Sequence, residues 1–181
     1  MRRTREFPPS ARKRIAKLDK SAEGIHYRNY ADWEEQLGTL GSGNHFVEVC
    51  LDEGQQVWLV LHSGSRAVGN RIASHHIKVA QKLMALHKVP LKDRDLAYLP
   101  EDSTEFREYM RDLLWAQDYA LANREEMMDR AMTELSFTMF GESGHEQAMT
   151  RAAYQLPSQL HATRESFRQG RCGSRARARS R

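Results

Sequence analysis

Apolar positions along this chain change their period between its first third and its middle. Phe46–Leu51 and 57–61 are short apolar runs separated by "DEGQQ". An Asp-Glu-Gly turn between β-branched runs predicts a β-hairpin. Further on, Ile72, Ala73, Ile77, Ala80, Leu83 and Met84 recur at helical steps. They predict an amphipathic helix over 70–87, stopped by Pro90. "HSGSRAVG" before it reads as a glycine-rich loop and "LAYLPEDS" after it as an extended one. Asp102 or Ser103 can then cap a long helix from 104 to about 138, with Glu105 well placed for the helix dipole. Its apolar stripe is Phe106, Met110, Leu113, Leu114, Leu121, Met128, Met132 and Leu135, and Gly141 and Gly144 end it. The fold class is α+β: a hairpin plus one medium and one long helix.

Composition divides the 181 residues into three parts. Residues 1–34 are expected to form a basic, poorly ordered arm with a short helical piece. Residues 35–147 carry the periodic pattern and the core. From 148 to 181 periodicity is lost, and the closing "GRCGSRARARSR" is arginine-rich with no acid, so this tail is expected to be disordered. The net charge of +4 is therefore unevenly spread: the first 20 residues hold eight Lys/Arg against two acids. Such basic ends either attract phosphate backbones or are simply solvated. No apolar run approaches the roughly 18 residues of a membrane span, and the start has no apolar signal region. Two cysteines, Cys50 and Cys172, make no disulfide framework, and they fit a reducing, cytoplasmic location.

Candidate chemistry gathers at the mouth of the hairpin. His45 follows "GSGN" and leads into the first strand; His62 ends the second and leads into "SGSR". Small residues let backbone come close to a ligand. Paired strands would bring both imidazoles to one rim, and imidazole pairs suit Zn, Mn, Fe or Ni. Glu48, three residues after His45, falls on the opposite strand face. Arg66 in its Gly/Ser-rich setting suits an anion, because its fork matches phosphate geometry. His76 falls near the apolar stripe of the 70–87 helix and reads as packing. Gln117, Asn123 and Arg124 lie on a polar face of the long helix that reads as solvated.

Four blocks in order, "EQLGTLGSGNHFVEV", "LHSGSRAVGN", "DLAYLPEDS" and "WAQDYALANREEMMDR", resemble the RtcB family of RNA-splicing ligases over about 35–130. The resemblance implies joining of an RNA 3′-phosphate or 2′,3′-cyclic phosphate end to a 5′-hydroxyl end, with GTP and Mn2+. In the family a histidine is guanylylated, GMP passes to the RNA 3′-phosphate, and the 5′-hydroxyl displaces it. By resemblance His45 and His62 are two of three metal-binding histidines. Asn44 and Glu48 resemble residues that contact the guanylate, and Arg66 one placed for a phosphate. The implied partners are such RNA ends and GTP, with no membrane.

The chain also departs from the family's pattern. No cysteine precedes Cys50, so the upstream Asp…Cys metal motif is missing. The third metal histidine, in the motif "NCHHNY", and the guanylylated histidine are not found, so no catalytic nucleophile is assigned and the chain alone is expected to be inactive. With suitable synonymous codons, residues 154–170 read from the second base give a run containing NCHHNY. Residues 171–179 read from the third base also give a family-like run. The expectation is a frameshift from about residue 148, with a second slip near Arg171. A non-catalytic RNA- or metal-binding module is the alternative function.

Overall fold

The computed structural model describes the backbone of residues 7–21 and 32–151, with side chains as far as residue 141. The elements run α1 (Pro9–Ser21), α2 (Trp33–Gln36), β1 (Phe46–Leu51), β2 (Val57–His62), α3 (Arg66–Leu86), a short 3-10 turn (Arg94–Leu96) and α4 (Thr104–Arg151). This is the expected α+β arrangement of a hairpin, a medium helix and a long helix.

β1 and β2 pair antiparallel, from Phe46↔His62 to Leu51↔Val57. Asp52 makes the turn. Its Oδ1 accepts from the backbone N–H groups of Gly54 and Gln56, each at 2.9 Å, and its Oδ2 accepts from the Trp58 indole at 2.8 Å. An aspartate that bonds the backbone two and four residues on shapes a turn without help from packing. The hairpin buries little: Val49 is 55% exposed, Leu51 61%, Val57 59% and Trp58 52%.

α3 begins at Arg66, four residues before the periodic pattern does, so the second half of the expected loop "HSGSRAVG" is the first turn of a helix. Its glycine misleads. A Cβ on Gly69 would sit 1.9 Å from the Ser65 hydroxyl, so the glycine leaves room for Ser65 to fold over the first turn. The buried side of α3 is Val68, Ile72, His76, Ala80 and Met84, one residue every fourth position. Ile77, expected to face the core, is 52% exposed.

Ser103 caps α4, its hydroxyl accepting from the Phe106 N–H at 3.1 Å. Gly141, with φ 65 and ψ −171, breaks the helix where the sequence placed its end, and helical backbone resumes as far as Arg151. The core-facing side of α4 differs from the expected one. Trp115, Ala116, Tyr119, Ala122, Asn123, Glu126 and Met127 are buried. At 3.6 residues per turn they lie roughly half a turn from the apolar stripe of Phe106 to Leu135, which is only half-buried. Asn123 and Glu126 on this side are each partnered, which offsets the cost of burying them.

The arm expected to be loose over 1–34 contains a docked helix. Ala11 and Leu18 of α1 join Trp33, Leu37, Val68, Ile72, Trp115 and Tyr119 in one core. The Trp115 indole donates to the Leu18 carbonyl at 3.1 Å, and the Tyr119 hydroxyl to the Trp33 carbonyl at 2.7 Å. Burial pushes the Tyr119 hydroxyl's pKa well up, so it stays a donor. Arg14 forks to Glu126 at 2.6 Å and Asp129 at 2.5 Å. Burial acts to lower its pKa, but Asp129, Glu126 and Glu125 outweigh it and raise it. Burying Leu18 is worth roughly 2 kcal/mol, against about 0–1 kcal/mol for an ion pair to an exposed carboxylate such as Asp129. Apolar contact and the pairing of Arg14 with the fully buried Glu126 together hold α1 on α4. Of the tail expected to be disordered over 148–181, residues 148–151 are helical backbone, and 152–181 lie outside the described residues, as do 1–6 and 22–31 of the arm. Among the described residues no helix is long and apolar enough to cross a membrane.

Candidate metal- and phosphate-binding site

The segment entering β1 runs through Gly38, Gly41 and Gly43, with φ of 71, 97 and 95. A side chain at Gly41 would strain the backbone and displace its neighbours. Its φ lies in the left-handed region, and a Cβ there would fall 1.5 Å from Arg66 Nη1 and 2.7 Å from His45 Nδ1. The guanidinium and the imidazole thus converge over a bare stretch of backbone. Arg66 is held by its Nε, which donates to the Thr39 hydroxyl at 3.1 Å. Its own φ of 58 is unfavourable for a residue with a Cβ.

His45 and His62 face each other with ring centroids 6.1 Å apart. One ion can bridge that span, since each coordinating nitrogen stands about 2 Å from a metal with its ring behind it. His45 Nδ1 is buried and has no hydrogen-bonding partner among the described residues. An orphaned buried nitrogen is costly unless something fills it. His62 closes β2, exposed, its ring stacked on Phe46 at 5.7 Å and 17°.

The other expected residues are placed less tightly. Glu48 lies on the strand face shared by Phe46 and His62. It also flanks Cys50, whose thiol pKa is raised by burial and then by the Glu48 charge and hydrogen bond. Asn44 is exposed one residue before His45. Among the described residues no group of three or more His, Cys, Asp and Glu side chains could hold a metal. Two imidazoles by themselves fall short of the three or four ligands that a protein metal site normally has.

Sequence reasoning missed what fastens this mouth to the core. Asn123, expected on a solvated face, is fully buried. Its Oδ1 accepts from the N–H groups of Gly38 at 2.7 Å and Thr39 at 3.2 Å. Its Nδ2 lies 3.3 Å from the Thr39 carbonyl, 3.2 Å from the Ser63 hydroxyl and 3.3 Å from the Gly64 carbonyl. Arg124 donates to the Ser63 carbonyl at 3.2 Å. Burial lowers the Arg124 pKa, an effect that Glu125 opposes. Ser63 in turn donates to the Leu40 carbonyl at 2.9 Å. Glu126, also fully buried, accepts from Ser10, Arg14 and Arg130 beneath Gly38. The available signal was spacing: Asn123 and Glu126 continue the helical series begun by Trp115 and Tyr119.

A strand mouth with facing imidazoles and a guanidinium over glycine is the class of site that suits a cation beside a phosphate. A sequence model of the family "tRNA-splicing ligase RtcB" matches residues 10–169, so the chain belongs to the RtcB family. The chain is 50% identical over 101 residues to the RNA-splicing ligase RtcB of Escherichia coli K12, covering 56% of the chain and 25% of that protein. It is 49% identical over 105 residues to RNA-splicing ligase RtcB1 of another E. coli strain, covering 58% and 26%. Against the tRNA-splicing ligase RtcB of Pyrococcus horikoshii it is 36% identical over 118 residues, covering 57% and 13%. The chain thus spans about a quarter or less of the length of these relatives.

Proposed function

We propose that this chain carries part of the site of a GTP- and Mn2+-dependent RNA ligase, which joins 3′-phosphate or 2′,3′-cyclic phosphate ends to 5′-hydroxyl ends in tRNA splicing or RNA repair. The observation that carries the reading is the buried, unpartnered His45 Nδ1, close to His62 and sharing the bare backbone of Gly41 with Arg66. His45 and His62 would hold manganese together with ligands from elsewhere in the protein, and the cation would neutralise charge developing on phosphoryl oxygens. Arg66 is pre-placed as an anion partner, its guanidinium fixed by Thr39 and open over glycine. Glu48 and Asn44 flank the same rim and serve as contacts to the guanylate. A cytoplasmic location belongs to the same reading and rests on two cysteines that make no disulfide framework.

The 181-residue chain is tested directly with Mn2+. Paramagnetic broadening of the His45 and His62 ring signals, lost in His45→Ala and in His62→Ala, is the expected result; broadening at neither ring overturns the reading. No counterpart of the guanylylated histidine is identified in these residues. With GTP, Mn2+ and RNA ending in a 2′,3′-cyclic phosphate, the chain alone is therefore expected to leave the ends unjoined.

The second reading, a non-catalytic RNA-binding module, is favoured by α1, which turns Arg12, Lys13, Lys17 and Lys20 to solvent. Removing residues 1–20 would strip Ala11 and Leu18 from the core, so exchange of the three lysines for glutamine is the cleaner test. Loss of salt-dependent RNA binding, with Mn2+ broadening absent, would favour this module.

A further inference from the structure

We propose that Asn123 is a positioning residue for this site. Its single carboxamide fixes both the segment entering β1 and the segment leaving β2 against α4. It thereby sets how His45, His62 and Arg66 face one another. The functional meaning rests on the reading of His45 and His62 as cation ligands; the geometry stands without it.

The hairpin does not anchor itself. Its apolar side chains are largely exposed on both faces, so no buried sheet face fixes its position on the helices. The approach to His45 passes through Gly41 and Gly43, whose backbone is intrinsically permissive. Polar attachment must supply the missing constraint. A primary amide offers two acceptor lone pairs and two donor hydrogens, and Asn123 directs both ends at the mouth. The Oδ1 takes the Gly38 and Thr39 N–H groups from the β1 side. The Nδ2 reaches Ser63 and Gly64, directly after His62. The Ser63–Leu40 bond ties the two segments to each other, and Arg124 holds Ser63 from the same helix. Aspartate at 123 would keep the acceptor and lose the donors. Alanine would lose both, and glutamine is one carbon too long for a fully enclosed site.

The experiment uses the whole 181-residue chain with labelled histidine, as Asn123→Asp and Asn123→Ala. The metal-free readouts are the NOE between the His45 and His62 rings and the backbone amide shifts of 38–40 and 63–65. The second readout is Mn2+ affinity from paramagnetic broadening. Asn123→Asp is expected to move the 63–65 amides and, through the lost bond to the Thr39 carbonyl, the amide of Leu40, while keeping the Gly38 and Thr39 N–H groups bonded; Asn123→Ala is expected to move all of them. The ring contact weakens in each, and Mn2+ affinity falls about 10-fold or more, the usual cost of losing a group that orients metal ligands. A merely structural residue would lower the unfolding midpoint and leave the ring contact of the folded chain intact; that result overturns the proposal. If Asn123→Ala does not fold, an unchanged ring contact and unchanged 63–65 amides in Asn123→Asp overturn it equally. If the unaltered chain binds no Mn2+, the cation reading fails, and the ring contact still decides the positioning.

Discussion

His76 and Asp112 meet at 2.8 Å in the buried seam between α3 and α4, with their second polar atoms, His76 Nδ1 and Asp112 Oδ1, unpartnered among the described residues. His76 takes a position near the apolar stripe read for the 70–87 helix, whereas Asp112 lies off the stripe read for α4. Tyr109 packs edge-on against the imidazole at 5.3 Å. Removing one partner strands the other in a dry seam, whereas replacing both can cost far less. Asp112→Ala is expected to destabilise the chain by about 3 kcal/mol in urea unfolding. The double change His76→Leu with Asp112→Leu should cost clearly less, and equal losses in the two variants would contradict this account.

Gly41 is the narrowest point of the site. Gly41→Ala adds a methyl group where Arg66 and His45 already converge, at a φ of 97. Helix content should survive, because Gly41 lies outside every helix, while the His45 and Arg66 side-chain resonances shift and Mn2+ affinity drops about 10-fold or more. Gly43 shares the left-handed backbone but has open space around it, so Gly43→Ala should pay only the backbone strain. Matching Mn2+ affinities for the two alanine variants would argue against close approach at Gly41.

Asp52 links hairpin stability to pH. Its hydrogen bond from the Trp58 indole, then that from Gln56, hold its pKa below the ordinary aspartate value against the opposing effect of burial, with a lesser contribution from Gly54. A carboxylate whose pKa falls on folding contributes stability that is fully present above its unfolded pKa and is lost as pH falls through the folded one. The Trp58 indole N–H signal should therefore hold steady from neutral pH down to the ordinary aspartate range and shift only below it. Asp52→Asn should abolish that titration. An indole signal that titrates near pH 6 instead would assign the turn to another group.

The coding DNA bears on the family match itself, which extends to residue 169 although the character of the sequence changes near 148. Codons 154–170 read from the second base are expected to spell NCHHNY and its flanks. Any other reading there disproves the frameshift.

Local chemistry wrote much of this protein into its sequence. The "DEGQQ" turn, both strands, the Ser103 cap and the break at Gly141 each depend on neighbours a few residues apart, and they stand where the pattern put them. His45 and His62 were legible as a pair for the same reason, since a hairpin register is a short-range fact. Tertiary structure decided the rest. The buried side of α4 carries Asn123 and Glu126 instead of the apolar stripe, because partners more than 50 residues away satisfy their polar atoms: Gly38, Thr39, Ser63 and Arg14. Hydrophobicity read along a chain scores a buried asparagine as solvent-facing, and only the groups that fold onto it reverse that sign.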